Sequence, residues 1–244
     1  KILVTQALPY ANAPLHLGHI LEAVQTDIWT RFQNLNGNEC HFFCADDTHG
    51  TPVMLKANEM GISPEKLIED VYQDHKSTYE LYDINFANFY STHSDENKKY
   101  SEFIYKCAKE NKLISKSVVE QYFDETEKMF LSDRFIKGTC PKCDAENQHG
   151  DNCGVCGASY NVLDIKNPVS TISNTKPVKK ESEHIFFDLP AKRDMLKEFI
   201  ETVDIQESIK NKLKEWLGDD LKKWDISRDA PYFGFEIPGE DNKF

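Results

Sequence analysis

The tetrapeptide His16-Leu17-Gly18-His19 combines residue types that can bind a phosphate group. A short apolar stretch precedes it at residues 2–5, and apolar residues with helical spacing follow it. A strand, a tight turn and a helix in this order direct free backbone N–H groups and the positive end of the helix dipole toward an anion. Gly18 lets the backbone approach closely, and the two imidazoles supply further donors. Because a four-residue pattern is short, there is an alternative to phosphate binding: the two histidines only cap the helix.

Two carboxylates, Asp46 and Asp47, follow the second apolar stretch at residues 40–45. In an open parallel sheet, ligands bind beyond the carboxyl ends of the strands, so these side chains are expected opposite the phosphate-binding turn. Adjacent carboxylates at that edge suit the recognition of an ammonium group or a metal ion. The alternative is that one of them caps the next helix, because aspartate is a favoured N-cap residue.

Four of the seven cysteines form two Cys-x-x-Cys pairs, Cys140 with Cys143 and Cys153 with Cys156. Nearby proline and glycine favour tight turns, and two such turns can present four thiolates in a tetrahedron. This spacing predicts a closed, structural zinc site, because four protein ligands leave no open position for water. Two redox pairs or a disulfide staple are the alternatives. The odd, uneven set of cysteines favours a reducing compartment.

Arg228 is flanked by acidic and aromatic residues in the stretch 224–235. One interpretation is a buried ion pair that braces the return of the chain to its core domain. The other is that the guanidinium offers a positive charge to a phosphate or carboxylate ligand, which its planar set of donors suits. The residues alone leave both interpretations open.

These side chains need strands and helices to position them. After the phosphate turn, apolar residues recur every four positions as far as Gly37, which predicts one buried helix face: Ile20, Val24, Ile28 and Phe32. Ser63-Pro64 predicts the start of another helix. Ser94-Asp95 opens a further helix whose expected buried residues are Tyr100, Phe103, Ile104 and Cys107. Strands and helices that alternate in this way favour a parallel, doubly wound sheet.

Composition limits the classes of protein to which the chain can belong. The chain has 244 residues, enough for one large domain or for a core domain with a substantial insertion. A net charge of −12 argues against broad nonspecific binding to nucleic acid, although a local basic groove is compatible with it. No apolar stretch reaches the length of a membrane span, so no membrane association is expected.

Several motifs taken together closely resemble those of bacterial methionyl-tRNA synthetases, which are class I aminoacyl-tRNA synthetases. They are ALPYAN at residues 7–12, HLGH at 16–19, CADDTHGTP at 44–52, the four cysteines, and WDISRDAP at 224–231. The resemblance implies an α/β fold, in which a Rossmann-type doubly wound parallel sheet is interrupted by a smaller, mostly β, zinc-binding connective-peptide domain. The expected limits are 1–112 and 225–244 for the catalytic core and 113–224 for the insertion, with the zinc knuckle at about 138–158.

The resemblance also implies a reaction in two steps, located in the cytoplasm. Methionine is activated by ATP, which enters with Mg²⁺, and the resulting adenylate esterifies tRNA(Met). Structural zinc is the implied metal. In this family the matching residues have the following roles: His16, Gly18 and His19 bind ATP; His16, His19 and Arg228 are catalytic; Ala7, Leu8, Tyr10 and Asp47 bind methionine; Cys140, Cys143, Cys153 and Cys156 hold zinc.

The chain departs from the family pattern, because neither the KMSKS loop nor the helical anticodon-binding domain of the family is recognised in it. The second signature of the family, KMSKS, supplies a lysine to the phosphates, and this string does not occur in the sequence. The nearest string, Ile114-Ser115-Lys116-Ser117, precedes the cysteines and is not expected to replace it. The chain is therefore expected to be a fragment that is inactive alone. The alternatives are another class I synthetase, a nucleotidyltransferase such as pantothenate synthetase, or an inactive zinc-dependent module that binds tRNA.

Overall fold

A computed structural model describes residues 1–218 and 221–244 and has a mixed α/β architecture. The described chain divides into two compact units. The first contains Lys1–Phe103 with Tyr232–Phe235, and the second contains Ile104–Pro231 with Glu236–Phe244. The domain limits predicted from the sequence, at residues 112 and 224, stay predictions.

The first unit is built on a three-stranded parallel sheet with the order β1-β2-β3. These strands are β1 (Ile2–Thr5), β2 (Cys40–Asp46) and β3 (Asn88–Ser91). The helices that connect or follow them are α1 (Leu17–Leu35), α2 (Thr51–Met60), α3 (Pro64–Leu81) and α4 (Asp95–Glu110). Because the strands are parallel, their carboxyl ends meet at one edge of the sheet, which is where ligands bind in such folds.

Two apolar clusters form the core of the first unit. One joins α1, β2 and α3 through Ile20, Ala23, Phe42, Tyr79 and Ile84. The other packs α2 on α3 and includes Ala11, Val53, Ala57, Leu67, Ile68 and Phe233. The predicted start of α3 is confirmed, because the Ser63 side chain accepts a hydrogen bond from the Lys66 backbone N–H and Pro64 occupies the first turn.

The buried face of α1 differs from the prediction. Ile20 is buried, but Ile28 is 60% exposed and Phe32 is 56% exposed. The reason is geometric: an α-helix has about 3.6 residues per turn, so each four-residue step rotates about 40° beyond a full turn. A strict four-residue repeat therefore leaves the core after two steps. The buried face is instead formed by Ile20, Ala23, Asp27 and Thr30.

The expected burial along α4 is also wrong. The helix forms at the predicted place, yet Tyr100, Phe103 and Ile104 are each at least 60% exposed. The helical period by itself indicates a potential apolar face, whereas burial needs a second surface to pack on it. Among the residues with described positions, none covers this face.

The second unit is mostly β, as expected, and carries two sheets. In the larger sheet the order is β10-β9-β4-β5, with β4 (Ile114–Asp124), β5 (Met129–Phe130), β9 (Val178–Phe187) and β10 (Trp224–Asp225). The smaller sheet contains β6 (Ile136–Thr139), β7 (Gln148–His149) and β8 (Lys166–Ser170). Two helices follow β9, α5 (Arg193–Thr202) and α6 (Glu207–Trp216). The string Ser115-Lys116-Ser117 lies within β4 and pairs with β9.

A membrane-spanning helix is not found. Along residues 1–218 and 221–244, no helix is both long and apolar enough to cross a bilayer.

Candidate functional site

The turn before α1 fixes the orientation and the tautomer of both histidines. His16 is the N-cap of α1, and its Nδ1 accepts a hydrogen bond from the Gly18 backbone N–H at 3.1 Å. Nδ1 of His19 accepts from the His16 backbone N–H at 3.3 Å. Since Nδ1 is an acceptor in each ring, the proton of each neutral imidazole lies on Nε2. The two rings stack with a centroid distance of 3.6 Å.

The cap and the phosphate-binding interpretations are therefore compatible. Nδ1 of each ring serves the cap, and Nε2–H of each ring remains a donor for an anion. Burial, followed by the nearby His16 and His75, lowers the pKa of His19, so that His19 is neutral at physiological pH. At this helix N-terminus, the Nε2–H groups of both imidazoles can donate to phosphate oxygens, and the positive end of the helix dipole favours the same anion.

Gly18 is required for this arrangement because of the space that His16 occupies. A Cβ atom at position 18 would lie 2.9 Å from Cε1 and 3.0 Å from Nδ1 of His16. Gly18→Ala is therefore expected to displace the His16 ring. We expect ATP affinity to fall roughly tenfold, as for the loss of one charge-assisted hydrogen bond. Isothermal titration with ATP measures this effect.

The melting temperature separates a local effect from unfolding in this variant. Alanine favours the helix over glycine by about 0.5–1 kcal/mol, and losing the His16 cap costs about the same free energy. The two effects offset each other, so the melting temperature should change little. Gly154→Ala is the matched control, because the nearest atom to its added Cβ would be 3.6 Å away. An unchanged ATP affinity for Gly18→Ala would contradict the proposed role of the His16 ring.

Tyr10 and Asp47 are brought side by side at the end of the parallel sheet. The Asp47 N–H donates to the Pro9 carbonyl, and the Ala11 N–H donates to the Asp47 carbonyl, each at 2.8 Å. The Asp47 residue is exposed, so its carboxylate is accessible to a ligand. Partial desolvation raises the pKa of Asp47, and a hydrogen bond from the His49 backbone opposes that shift. An aromatic ring beside an accessible carboxylate can bind a ligand that carries an ammonium group.

Tyr10 is held by the loop that follows β2. Its hydroxyl donates to the His49 carbonyl at 2.6 Å. Gly50 comes next, with φ of 123°, and a Cβ there would overlap the Tyr10 hydroxyl. The Gly50 N–H donates to the Phe233 carbonyl at 2.9 Å, which ties this loop to the returning segment of the first unit.

The two other residues expected to bind methionine are accessible. Ala7 is exposed, and its N–H donates to Oε1 of Glu22 at 2.8 Å. Leu8 is 42% exposed. These positions are compatible with a role in ligand binding, which stays a prediction for both residues.

The structure distinguishes the two adjacent carboxylates. Gly50 is the N-cap residue of α2, so neither Asp46 nor Asp47 caps that helix. Asp46 is fully buried, and its Oδ1 lies 2.8 Å from Nδ1 of His75 on α3. Nε2 of His75 lies 2.8 Å from the Ala13 carbonyl, in the loop before the phosphate turn. Although burial opposes it, these contacts raise the pKa of His75. Only Asp47 is accessible to a ligand.

Several histidine contacts around this site were not predicted from the sequence. His75 connects the end of β2 to the phosphate turn, and Nε2 of His49 lies 2.9 Å from Nδ1 of His93. Burial, and then the neighbouring His93, lowers the pKa of His49 to about 4, so His49 is neutral at pH 7. A single histidine within an amphipathic pattern gives no sign of a distant partner, so the sequence offered no signal for these contacts.

The four cysteines of the second unit lie on two turns with the same backbone pattern. The Cys140 N–H donates to the Ala145 carbonyl at 2.8 Å, and the Cys153 N–H donates to the Ala158 carbonyl at 2.9 Å. Backbone N–H groups also approach the sulfurs, with Lys142 N 3.3 Å from Cys140 Sγ and Cys156 N 3.4 Å from Cys153 Sγ. Such donors stabilise thiolates.

The sulfur positions fit a tetrahedral metal site. All four Sγ atoms lie within 4.8 Å of one another. Cys140 and Cys156 are 3.9 Å apart at sulfur, and Cys143 and Cys153 are 3.7 Å apart. Zn–S bonds of about 2.3 Å in a tetrahedron place sulfurs about 3.8 Å apart, whereas a disulfide needs about 2.05 Å. The cysteines are free thiols in the structure, and the donor set fits zinc.

Arg228 belongs to the second unit. It does not form the buried ion pair that one interpretation of the sequence suggested. Its side chain is 54% exposed, and its Nη1 lies 3.8 Å from Oδ1 of Asp225. The buried ion pair of this segment involves His184, which is 2% exposed and contacts both Asp225 and Asp229. The guanidinium is accessible to an anion, and its catalytic role stays a prediction.

Solved structures show a similar fold. Mycobacterium tuberculosis methionyl-tRNA synthetase bound by methionyl-adenylate matches with a TM-score of 0.72 and 20% identity, over 99% of this chain and 43% of that chain. A second structure of that protein in complex with methionyl-adenylate gives the same values. The agnB2 LeuRS of Agrobacterium radiobacter, in a ternary complex with tRNA and LeuAMS, matches with a TM-score of 0.62 and 19% identity, over 88% of this chain and 24% of that chain.

These likenesses establish the fold, and the chain spans less than half the length of each of these structures. The parallel sheet with a phosphate-type turn matches a synthetase catalytic core, and the four-cysteine cluster fits a zinc-binding connective domain. The model of the family "tRNA synthetases class I (M)" matches residues 2–244. Because this match covers almost the whole sequence, the chain belongs to the class I tRNA synthetases of the M family.

Proposed function

We propose that the protein activates methionine with ATP and transfers it to tRNA(Met), as a methionine–tRNA ligase. The observation that carries the proposal is the arrangement at the carboxyl edge of the parallel sheet. There, Tyr10 lies beside the accessible Asp47, and the turn before α1 leaves His16 and His19 each with an Nε2–H donor that the helix cap does not use. The methionyl-adenylate bound by the similar M. tuberculosis structures carries both an ammonium group, which suits a carboxylate, and a phosphate group, which suits the histidine donors.

In the first step, a carboxylate oxygen of methionine attacks the α-phosphorus of ATP, which enters with Mg²⁺. The new P–O bond forms as the bond to the bridging oxygen breaks, and pyrophosphate leaves. We assign the α-ammonium of methionine to Asp47, which would fix the carboxylate for attack. Ala7, Leu8 and Tyr10 would contact the thioether side chain, which suits an apolar and aromatic lining.

The phosphate groups are assigned to His16, Gly18 and His19. Negative charge builds on the phosphate oxygens in the transition state, and donors already held in place stabilise it there. The cap hydrogen bonds at Nδ1 hold these rings before ATP arrives, so little reorganisation is needed. Arg228 would provide a further positive charge during adenylate formation.

In the second step, a ribose hydroxyl at the 3′ end of tRNA(Met) attacks the carbonyl carbon of the adenylate, and AMP leaves. Zinc would be held by Cys140, Cys143, Cys153 and Cys156 and would cross-link the two turns of the knuckle. Its role would be structural, because four thiolates complete the coordination. We assign residues 1–112 and 225–244 to the catalytic core, residues 113–224 to the connective peptide, and the protein to the cytoplasm.

We further propose that this chain alone is inactive. The sequence lacks a KMSKS string, and Lys116, in the nearest similar string, is part of β4 and pairs with Glu183 and Glu240. A strand residue with two carboxylate partners is poorly placed to act as a mobile lysine loop.

Amino-acid-dependent exchange of pyrophosphate into ATP tests the function. The complete synthetase should exchange with methionine in preference to leucine, isoleucine, valine and cysteine, and the 244-residue chain should show no exchange. Preference for another amino acid would contradict the assignment to methionine. Exchange by the chain alone would contradict its proposed inactivity. No exchange by the complete protein, with tRNA binding retained, would favour a module that only binds tRNA.

A further inference from the structure

A buried histidine in the second unit, His184, takes no part in the proposed chemistry. It lies on β9, and only 2% of the residue is exposed. Its Nδ1 lies 2.5 Å from Oδ2 of Asp225, and its Nε2 lies 2.9 Å from Oδ2 of Asp229. Ionised carboxylates can only accept, so hydrogen bonds to both of them require a proton on each ring nitrogen, although Nε2 also lies 2.8 Å from the side-chain amide of Gln121. On the two carboxylate contacts, we assign the ring as an imidazolium ion held between Asp225 and Asp229.

The two carboxylates also accept hydrogen bonds from donors other than Arg228. Oδ1 of Asp225 accepts from the Ser227 N–H at 3.1 Å. Oδ1 of Asp229 accepts from Ser182 Oγ at 2.8 Å and also from the Lys243 ammonium. The groups around the His184 ring are thus two acids, one uncharged amide and two nearby cations: Asp225, Asp229, Gln121, Lys243 and Arg228.

Arg228 has a fixed backbone and an accessible guanidinium. Its N–H donates to the Phe244 carbonyl at 2.8 Å, and its carbonyl accepts from the Phe244 N–H at 3.0 Å. Its Nη1 donates to the Ser227 carbonyl at 2.6 Å and stays 3.8 Å from Oδ1 of Asp225. Asp225 lies near this guanidinium and Asp229 follows it in the sequence, but both acids form their shorter contacts with other groups.

We infer that His184 is a positioning residue, which keeps Arg228 available to an anionic phosphate ligand by holding Asp225 and Asp229. The inference rests on the proposed function, which assigns Arg228 to adenylate formation. A neutral imidazole donates from one nitrogen only, so one of the two carboxylates would lose its partner. Asp229 keeps Lys243, whereas Asp225 would turn to the guanidinium, its nearest remaining cation. An Arg228–Asp225 pair would compete with the ligand.

The pH range of this arrangement follows from the direction of the pKa shifts. Burial opposes protonation, but the contacts with Asp225 and Asp229 raise the pKa of His184 above its ordinary value of 6.5. Burial also opposes ionisation of the acids, yet contacts with His184 lower the pKa of Asp225, and those with Lys243, Ser182 and His184 lower the pKa of Asp229. The arrangement is therefore complete below the ordinary histidine pKa of 6.5 and is lost as the pH rises through the raised pKa of His184.

NMR of the 244-residue chain tests the inference without any ligand. The Nε–Hε resonance of Arg228 reports the surroundings of the guanidinium. In the unmodified protein, this resonance should shift with the same midpoint as the titration of the His184 ring. In His184→Gln at neutral pH it should already lie at the position reached at high pH. His41→Gln is the matched control, since this exposed histidine has a carboxylate partner, Glu39, elsewhere in the fold.

A second substitution separates positioning from a general loss of structure. If His184 acts by holding Asp225, then adding Asp225→Asn to His184→Gln should return the Arg228 resonance toward its original position. ATP affinity should follow the same pattern, with a loss of roughly fivefold in His184→Gln and recovery in the double variant. A histidine that only stabilised the fold would instead give a double variant worse than either single variant.

The outcomes separate this inference from the proposed function. The inference is overturned if the Arg228 resonance keeps the same chemical shift through the titration of His184 and also in the His184→Gln variant. If that substitution prevents folding, the titration of the unmodified chain still decides it. Should the resonance respond as expected while ATP binds equally well to Arg228→Ala, the positioning by His184 stands and the assignment of Arg228 to phosphate fails.

Discussion

Cys153→Ser is expected to abolish zinc binding and to unfold the knuckle between the two cysteine turns. Cys153 is 2% exposed, and its sulfur lies 3.7 Å from that of Cys143 within the four-thiol cluster. Structural zinc sites of this type contribute about 10–16 kcal/mol of apparent binding free energy, and a hydroxyl replaces a thiolate ligand poorly. Zinc content should fall from about one ion per chain to near zero, measured by elemental analysis.

Limited proteolysis follows the structural consequence of this substitution. New cleavage is expected between residues 140 and 158, because the turns there are held mainly by the metal. Cys107→Ser is the matched control, since Cys107 is a free thiol on α4 outside the cluster and should keep the full zinc content. A full equivalent of zinc in Cys153→Ser would contradict the four-thiolate site. Zinc-free protein in which these cysteines are oxidised would favour the redox alternative.

Asp47→Asn is expected to lower methionine-dependent pyrophosphate exchange by about 30-fold or more, the cost of removing one partner of a ligand ion pair that is desolvated on binding. The substitution keeps the shape of the side chain. It also keeps the backbone hydrogen bonds to Pro9 and Ala11, so the fold at the sheet edge should persist. Exchange kinetics with the complete synthetase measure the effect.

This test is specific because it compares the change in KM for methionine with the change in KM for ATP. We expect KM for methionine to rise, with KM for ATP nearly unchanged, because Asp47 is assigned to the ammonium group. Asp95→Asn, in the exposed first turn of α4, is the matched control and should behave as the unmodified protein. A loss confined to KM for ATP, or no loss, would contradict the assignment.

Local patterns explain why much of the fold could be predicted. The strand before the phosphate turn, the start of α3 at Ser63 and the two Cys-x-x-Cys turns each depend on residues a few positions apart. Such short-range preferences act before any tertiary contact forms, so they are readable in the sequence. The spacing of the cysteines is informative for the same reason, because each turn brings its two sulfurs toward one point.

Burial was predicted less well than helix formation. The helices α1 and α4 occur where expected, but Phe32, Phe103 and Ile104 are more than half exposed. An apolar repeat defines a face, while its burial depends on which element packs against it. Periodicity carries no information about that second element.

The sequence by itself determined that a phosphate-type turn, an acidic strand end and a four-thiol cluster occur in one α/β chain, because each is a short-range pattern. Only the tertiary structure decided which carboxylate is accessible, since Asp46 is paired with His75, 29 positions away. It likewise placed His184 against Asp225, 41 positions away, so that Arg228 remains accessible. Contacts between distant residues depend on how whole elements pack, and this information is spread over the entire chain rather than written in any one motif.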